Sequence, residues 1–454
     1  MNKFLILPVF AVALSSAAPS RAQTTPLASS ESRFFFRDGD RAMLLGDSIT
    51  EQRQYTTLIE SYTLSRFPRW KISFRNTGVS GDRAHFGGRG GQESGLKRDI
   101  FPLNPTAITI AFGMNDARAG EAGLKTYVDT SRTLTEALLA KGTRVALLTP
   151  SSEENYEAGQ PAGSTYNVVL RKYSEGLKGL ATEKNVLFVD QLNPMIATIE
   201  AGRAANVLSN VPGDPRLVPD SVHPNAGGHL VMATHILKGL GARSLVSNVE
   251  IDAKTLQFKA QNAAVTTSTA TTATAPMQGD IPIIGKLLRT ENAPISFTRL
   301  DGALPWHVPT EAAVALKIPG FSPLNDLSNF ALKVVNLPVS QYEISIGEQT
   351  VGTFTSEQLA AGINLSQNAG PISAQAQELH KKILEKNNLF FTRWRQIQIF
   401  RVPAWMPQEA VETARSAEMA RLDAQIAAAE GQIDVLRQPK PHVWSIKPVA
   451  TATP

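Results

Sequence analysis

The stretch Met43–Thr50, "MLLGDSIT", ends a short apolar run on Gly46-Asp47-Ser48 and then turns polar. Ala42 to Leu45 read as a buried strand, and Asp47-Ser48 opens a helix directly after it. Ser48 therefore has two readings. Its hydroxyl, or that of Thr50, can cap the helix by accepting a bond from an orphan N–H. Alternatively, Ser48 is a nucleophile presented at the end of a strand.

Moving outward, the same alternation recurs. The strands expected are 42–45, 71–76 ("KISFRN"), 106–112 ("TAITIAF"), 144–149 ("RVALLT") and 186–190 ("VLFVD"). Between the first two, Tyr55, Leu58, Ile59 and Tyr62 share one face of a helix. Further helices are expected over 92–100, 122–141, 165–183 and 226–241. Strands joined by helical crossovers predict a doubly wound parallel sheet, and such sheets bind ligands at the carboxyl ends of their strands.

A chain of 454 residues exceeds what one core usually serves, so a main domain over 34–245 with further units after it is expected. The opening "MNKFLILPVFAVALSSAAPSRAQTT" has a Lys, an apolar run from Phe4 to Leu14 and small residues before Ala22. This is the pattern of a secretory signal over 1–22, and the run is shorter than the roughly 20 residues a membrane span needs. An exported bacterial protein, periplasmic or secreted, is expected. The net charge of +5 includes Lys3 and Arg21 of that leader, and the other basic residues are scattered, which argues against a nucleic-acid partner. With no cysteine there is no disulfide framework, thiolate metal site or lipid-modified cysteine.

Beyond residue 245 the character changes. A Thr/Ala-rich linker or loop is expected within 246–290, centred on "AAVTTSTATTATAP" (263–276), followed by an accessory β-rich and helical region over 291–402. Within it, 330–355 reads as strands turning at "IGEQ", and 374–388 as a helix. Over 403–454 a last helix carries Met419, Leu422, Ile426, Ala429, Ile433 and Leu436 in a stripe expected to pack onto the chain's own body, and the closing "PVATATP" is expected to be disordered.

Three further segments bear on Ser48: "NTGVSGD" (76–82) after the second strand, "FGMND" (112–116) after the third, and "PDSVHPN" (219–225) before the last helix of the domain. In a parallel sheet, Ser48, Gly81 and Asn115 all lie at carboxyl ends and can converge. Asp220 stands three residues ahead of His223, so its carboxylate can hold one ring nitrogen while the other faces the serine. Acyl transfer needs these types: imidazole, with an ordinary pKa near 6.5, takes the serine proton, and a carboxylate fixes its tautomer. Donors aimed at the carbonyl oxygen then stabilise the tetrahedral intermediate.

"GDSIT", "NTGVSGD", "GMND" and "DSVHP", in that order, resemble the four blocks of the SGNH, or GDSL-type, hydrolases over about residues 38–242. The resemblance implies a flavodoxin-like three-layer α/β/α domain and a serine esterase needing no metal or cofactor. It implies Ser48 as nucleophile, His223 as base, Asp220 as its orienter, and the Ser48 and Gly81 N–H groups with Asn115 as oxyanion donors. One departure is the long, glycine-rich "RAHFGGRGGQES" (83–94), read as a mobile loop at the crevice. Substrate contacts are expected from Asp47, Arg83, His85 and Arg89, and from Glu153 in a second loop over 150–167.

His229 and His235 are expected to be structural, and His307 beside Trp306 to pack rather than bind sugar. "FFTRWRQIQIF" (390–400) is expected to cover the catalytic domain with aromatic rings and arginine stems. The function expected is an exported esterase of small acyl groups, acetyl on a glycan foremost, without membrane insertion and with oligomeric state open. Its rivals are a lipase or thioesterase for longer chains and an inactive scaffold serving envelope or carbohydrate binding.

Overall fold

The structure, a computed structural model, describes residues 34–155, 164–208, 216–267 and 293–449. Strands β1 (Arg41–Gly46), β2 (Ser73–Gly78), β3 (Ala107–Ala111), β4 (Arg144–Leu148) and β5 (Leu187–Val189) pair in parallel in the order β2-β1-β3-β4-β5. All of β3 is buried and β1 is exposed only at Arg41, as a sheet covered on both faces requires. This is the flavodoxin-like order. Its switch point lies between β1 and β3, because the chain leaves β1 for β2 on one side and crosses to β3 on the other.

The covering helices are α1 (Ser48–Glu51), α2 (Gln54–Arg66), α3 (Gln92–Gly95), α4 (Leu124–Leu139), α5 (Thr165–Lys184), α6 (Leu192–Ala204) and α7 (Ala226–Gly239). The helix expected over 92–100 is α3 continued by a π-helical turn, Leu96–Ile100. The single turn α1 lies against β2. A Cβ on Gly78 would stand 2.2 Å from the Glu51 nitrogen, so this close approach needs a glycine.

The expected linker is a correction. Within 246–266 the chain already forms strands: β6 (Leu245–Asp252), β7 (Gln257–Gln261) and β8 (Ala263–Thr266). Residues 268–290 of that segment lie outside the described residues, as do the leader at 1–22 and 156–163 of the second loop. With β9 (Ile295–Asp301), β10 (Asn329–Val335), β11 (Gln341–Ile346), β12 (Gln349–Thr355), β13 (Ile363–Asn364) and β14 (His442–Pro448), strands β6, β7 and β8 form two further sheets, ordered β13-β10-β6-β7 and β12-β11-β14-β9-β8. "IGEQ" does turn β11 into antiparallel β12. "PVATATP" is corrected at its first residue, since Pro448 ends β14 and pairs with Tyr342, while 450–454 lie outside the described residues. The two sheets meet through Phe258, Phe297, Phe330 and Trp444. Between them, the buried Arg299 guanidinium donates to Asp301 and Ser247.

Helices α8 (Pro323–Leu327), α9 (Ser356–Ala361), α10 (Pro371–Phe391) and α11 (Gln408–Leu436) complete the chain. Leu422, Ile426, Ala429 and Ile433 of α11 are buried, and α11 packs on α10. α10 in turn packs on α2. The contact is polar: Lys386 Nζ donates to Glu60 at 2.6 Å, Asn387 donates to Thr57 and Glu60, and Ser61 pairs with His380. From Phe34 onward the N-terminal and C-terminal halves therefore form one compact unit. No described helix is long and apolar enough to cross a membrane.

Candidate active site

Asp47 caps α1 by accepting the Ile49 N–H at 3.0 Å, which leaves Ser48 at the first helical position and partly exposed. The cap of this helix is therefore Asp47, which corrects the expectation of Ser48 or Thr50. His223 Nε2 is 2.8 Å from Ser48 Oγ, and His223 Nδ1 is 2.7 Å from Asp220 Oδ2. Asp220 also accepts the N–H groups of Val222 and His223 at 2.9 and 2.6 Å. Partial burial alone would raise the Asp220 pKa, but these N–H groups and the ring hold it below the ordinary carboxylate value.

Asn225 caps α7 by accepting the Gly228 N–H and fixes the end of this loop. Buried Glu154 holds its other side by accepting the Val218 N–H at 2.7 Å. Its burial makes Glu154 a support of this loop.

Gly81 sits on an exposed turn closed by the Asp82 N–H on Val79 O, and its φ of 73° favours glycine. Asn115 Nδ2 donates to Asp82 O at 3.0 Å, tying the loop after β3 to the loop after β2. Asn76 completes the frame: its Nδ2 donates to Thr50 O and Thr56 Oγ1, and its Oδ1 accepts the Gly78 N–H. Ser48, Gly81 and Asn115 thus stand at three adjacent strand ends, around the switch point.

Residues 44–231 match the model of the GDSL-like lipase/acylhydrolase family. That segment belongs to the GDSL-like hydrolases. An acetylxylan esterase from Geobacillus stearothermophilus is 24% identical over 232 residues, spanning 45% of this chain and 94% of that protein. Among solved structures, a gut microbial diltiazem-metabolizing enzyme shares the fold with a TM-score of 0.69 at 24% identity, over 91% of this chain and 98% of its own. The shared fold therefore includes the C-terminal sheets and helices. Together these similarities make the chain an ester-hydrolysing enzyme.

Two of the expected substrate contacts are corrected by burial. Asp47 is 3% exposed, and burial, with the nearby Asp116 and Asp82 carboxylates, pushes its carboxyl up to about 7. Arg89 is 1% exposed; its Nε donates to Asp82 at 2.7 Å, its Nη2 donates to Thr77 O, and Asp99 lies 3.8 Å from its Nη1. The glycine-rich loop is built around this guanidinium, which explains a run of small residues that reads from sequence as mobility. Arg83 and His85 are exposed, and Glu153 is half-buried with its main chain held by Asn167.

His229, His235 and His307 have the packing roles expected of them. His229 is buried beside Gln52 and stacks on Tyr55, and burial lowers its pKa to about 3. His235 pairs with Thr198, and its pKa is lowered to about 4, chiefly by burial. His307 packs against His380, while Trp306 is buried and donates to Leu58 O. A cavity of about 450 Å³ borders His307, and Ser48, Asp220 and His223 are not among its lining residues. Among the described residues no group of three or more His, Asp or Glu is placed to hold a metal.

Proposed function

We propose that this chain hydrolyses small acyl esters of a polar alcohol, an acetylated glycan foremost, with Ser48 as nucleophile. The observation that carries the reading is the hydrogen-bonded line Ser48–His223–Asp220, at 2.8 and 2.7 Å. With Asp220 accepting from Nδ1–H, Nε2 is free to take the Ser48 proton as Oγ attacks the acyl carbon. The N–H groups of Ser48 and Gly81 and the second N–H of the Asn115 amide receive the oxyanion. Collapse of the intermediate passes the proton from His223 to the leaving alkoxide. Water then enters by the same route in reverse and releases the acid.

The character of the rim supports the substrate class. Ser80, Gly81 and Asp220 are exposed beside the site, a polar border that suits a short acyl group on a hydroxylated alcohol. A long alkyl chain needs buried apolar surface, at about 25 cal/mol per Å². The similarity to an acetylxylan esterase supports the same class.

Two measurements test the reading. Ser48→Ala, with unchanged folding by circular dichroism, is expected to lower kcat on 4-nitrophenyl acetate by at least about a thousandfold. Activity equal to the parent's rules the serine mechanism out. On 4-nitrophenyl esters from acetate to palmitate, kcat/KM is expected to be highest at acetate; a maximum at long chains favours the lipase reading instead.

A further inference from the structure

We propose that Arg395, supplied by the C-terminal half, is a positioning residue for ester hydrolysis. Acting through Glu51, it fixes the Ser80–Gly81 turn that offers the Gly81 N–H to the oxyanion. This inference rests on the reading of Ser48 as nucleophile.

The single turn α1 carries Ser48 at its start and Glu51 at its end. The Glu51 carboxylate bridges two separate parts of the chain. Its Oε2 accepts the Ser80 N–H at 3.0 Å and also the Ser80 hydroxyl, while its Oε1 accepts Arg395 Nε at 2.7 Å. Gly81 follows directly, on an exposed turn with φ of 73°. Such a turn moves at little cost unless something holds it, and an oxyanion donor acts through being held in advance.

Arg395 is itself well anchored. It lies in the π-helical turn Thr392–Gln398 that continues α10, beside Trp394, which is buried in a cluster with Val79, Phe390 and Ile426. Val79 belongs to the turn that contains Gly81, so the cluster and the ion pair grip the same loop from two sides. A second arginine fixes the other partner of this bridge. Arg53 Nη1 donates to Glu51 O at 2.6 Å, its Nε donates to Asn388 of α10 at 3.0 Å, and its guanidinium lies 4.0 Å from the Phe391 ring centre.

Charge gives the pair a further effect. A carboxylate bonded to Ser80, one residue from a developing oxyanion, opposes that negative charge. The Arg395 guanidinium offsets it, and the pair is partly shielded from water, with side chains 33% and 14% exposed. Loss of the arginine thus both loosens the donor and leaves an opposing charge near it.

The test uses the full chain with 4-nitrophenyl acetate. Arg395→Met is expected to lower kcat about ten- to hundredfold with KM unchanged, and Arg395→Lys to recover most of the loss. Ser80→Ala, which removes only an exposed hydroxyl and leaves the Val79 cluster intact, is expected to lower kcat severalfold, again without a change in KM or Tm, and it decides the matter if Arg395→Met does not fold. Unchanged kcat in Ser80→Ala and in folded Arg395→Met, or losses that only follow falling Tm, overturn the inference. Ser48→Ala assayed in parallel separates the two ideas: inactive Ser48→Ala with fully active Arg395→Met sinks this one alone, and active Ser48→Ala sinks both.

Discussion

Asp47 is a helix cap, a member of a recognisable motif and a buried acid at once, and these roles have different consequences. Its folded pKa of about 7 lies above the ordinary 3.8, so between those values this group binds more protons in the folded chain than in the unfolded chain. Stability from this group is fully present below about pH 4 and is lost as pH rises through about 7. Asn at this position still accepts the Ile49 N–H but never ionises. Asp47→Asn is therefore expected to melt with the parent at pH 4 and above it at pH 8, by a margin on the order of 4 kcal/mol at most. The difference between the two proteins must be measured, because His229, lowered to about 3, imposes the opposite slope on both. A margin that does not grow with pH contradicts this. Asp47 and Arg89 also mark where reading charge from sequence fails. Both stand in loops that border the site, so substrate contact is the natural expectation; their burial follows from distant groups, Asp99 and Asp116 among them, whose approach no local pattern records.

At the scale of elements, periodicity placed all five parallel strands and most helices of the first half, because each buries a regular face, but it missed α6 (Leu192–Ala204). The inner stripe of α2 was legible in Tyr55, Leu58, Ile59 and Tyr62. Its outer face, Thr57, Glu60 and Ser61, reads as solvated yet is buried under α10 by polar contacts. A polar interface has no hydrophobic period to betray it. Lys386 is its deepest charge, 1% exposed in its side chain against 4% for Glu60, and burial lowers its pKa. Lys386→Met strands the Glu60 carboxylate and is expected to cost about 3–5 kcal/mol in urea unfolding, whereas Lys386→Met with Glu60→Leu regains most of it. Equal losses in the single and double variants contradict this. The short bridge Arg395–Glu51–Ser80 was invisible for the same reason: its partners lie 344 and 29 residues apart.

At the scale of the molecule, the expected boundary near residue 245 divides two stretches of sequence but one folded unit. A chain ending at 245 uncovers the polar face of α2 and the Val79 cluster and removes Arg395. It is expected to lack a cooperative melting transition and to retain under about 1% of the parent's kcat. A truncated protein that melts cooperatively at full activity contradicts both the shared core and the positioning role. The last described strand, β14, takes the middle of its sheet, between β11 and β9. During synthesis from the N-terminus those two neighbours emerge earlier and must wait with open hydrogen-bonding edges until about 440 residues have left the ribosome. A half-made chain is thus a template for strand addition by other half-made chains. Slow elongation late in the message therefore prolongs the stage at which this enzyme is most prone to aggregate.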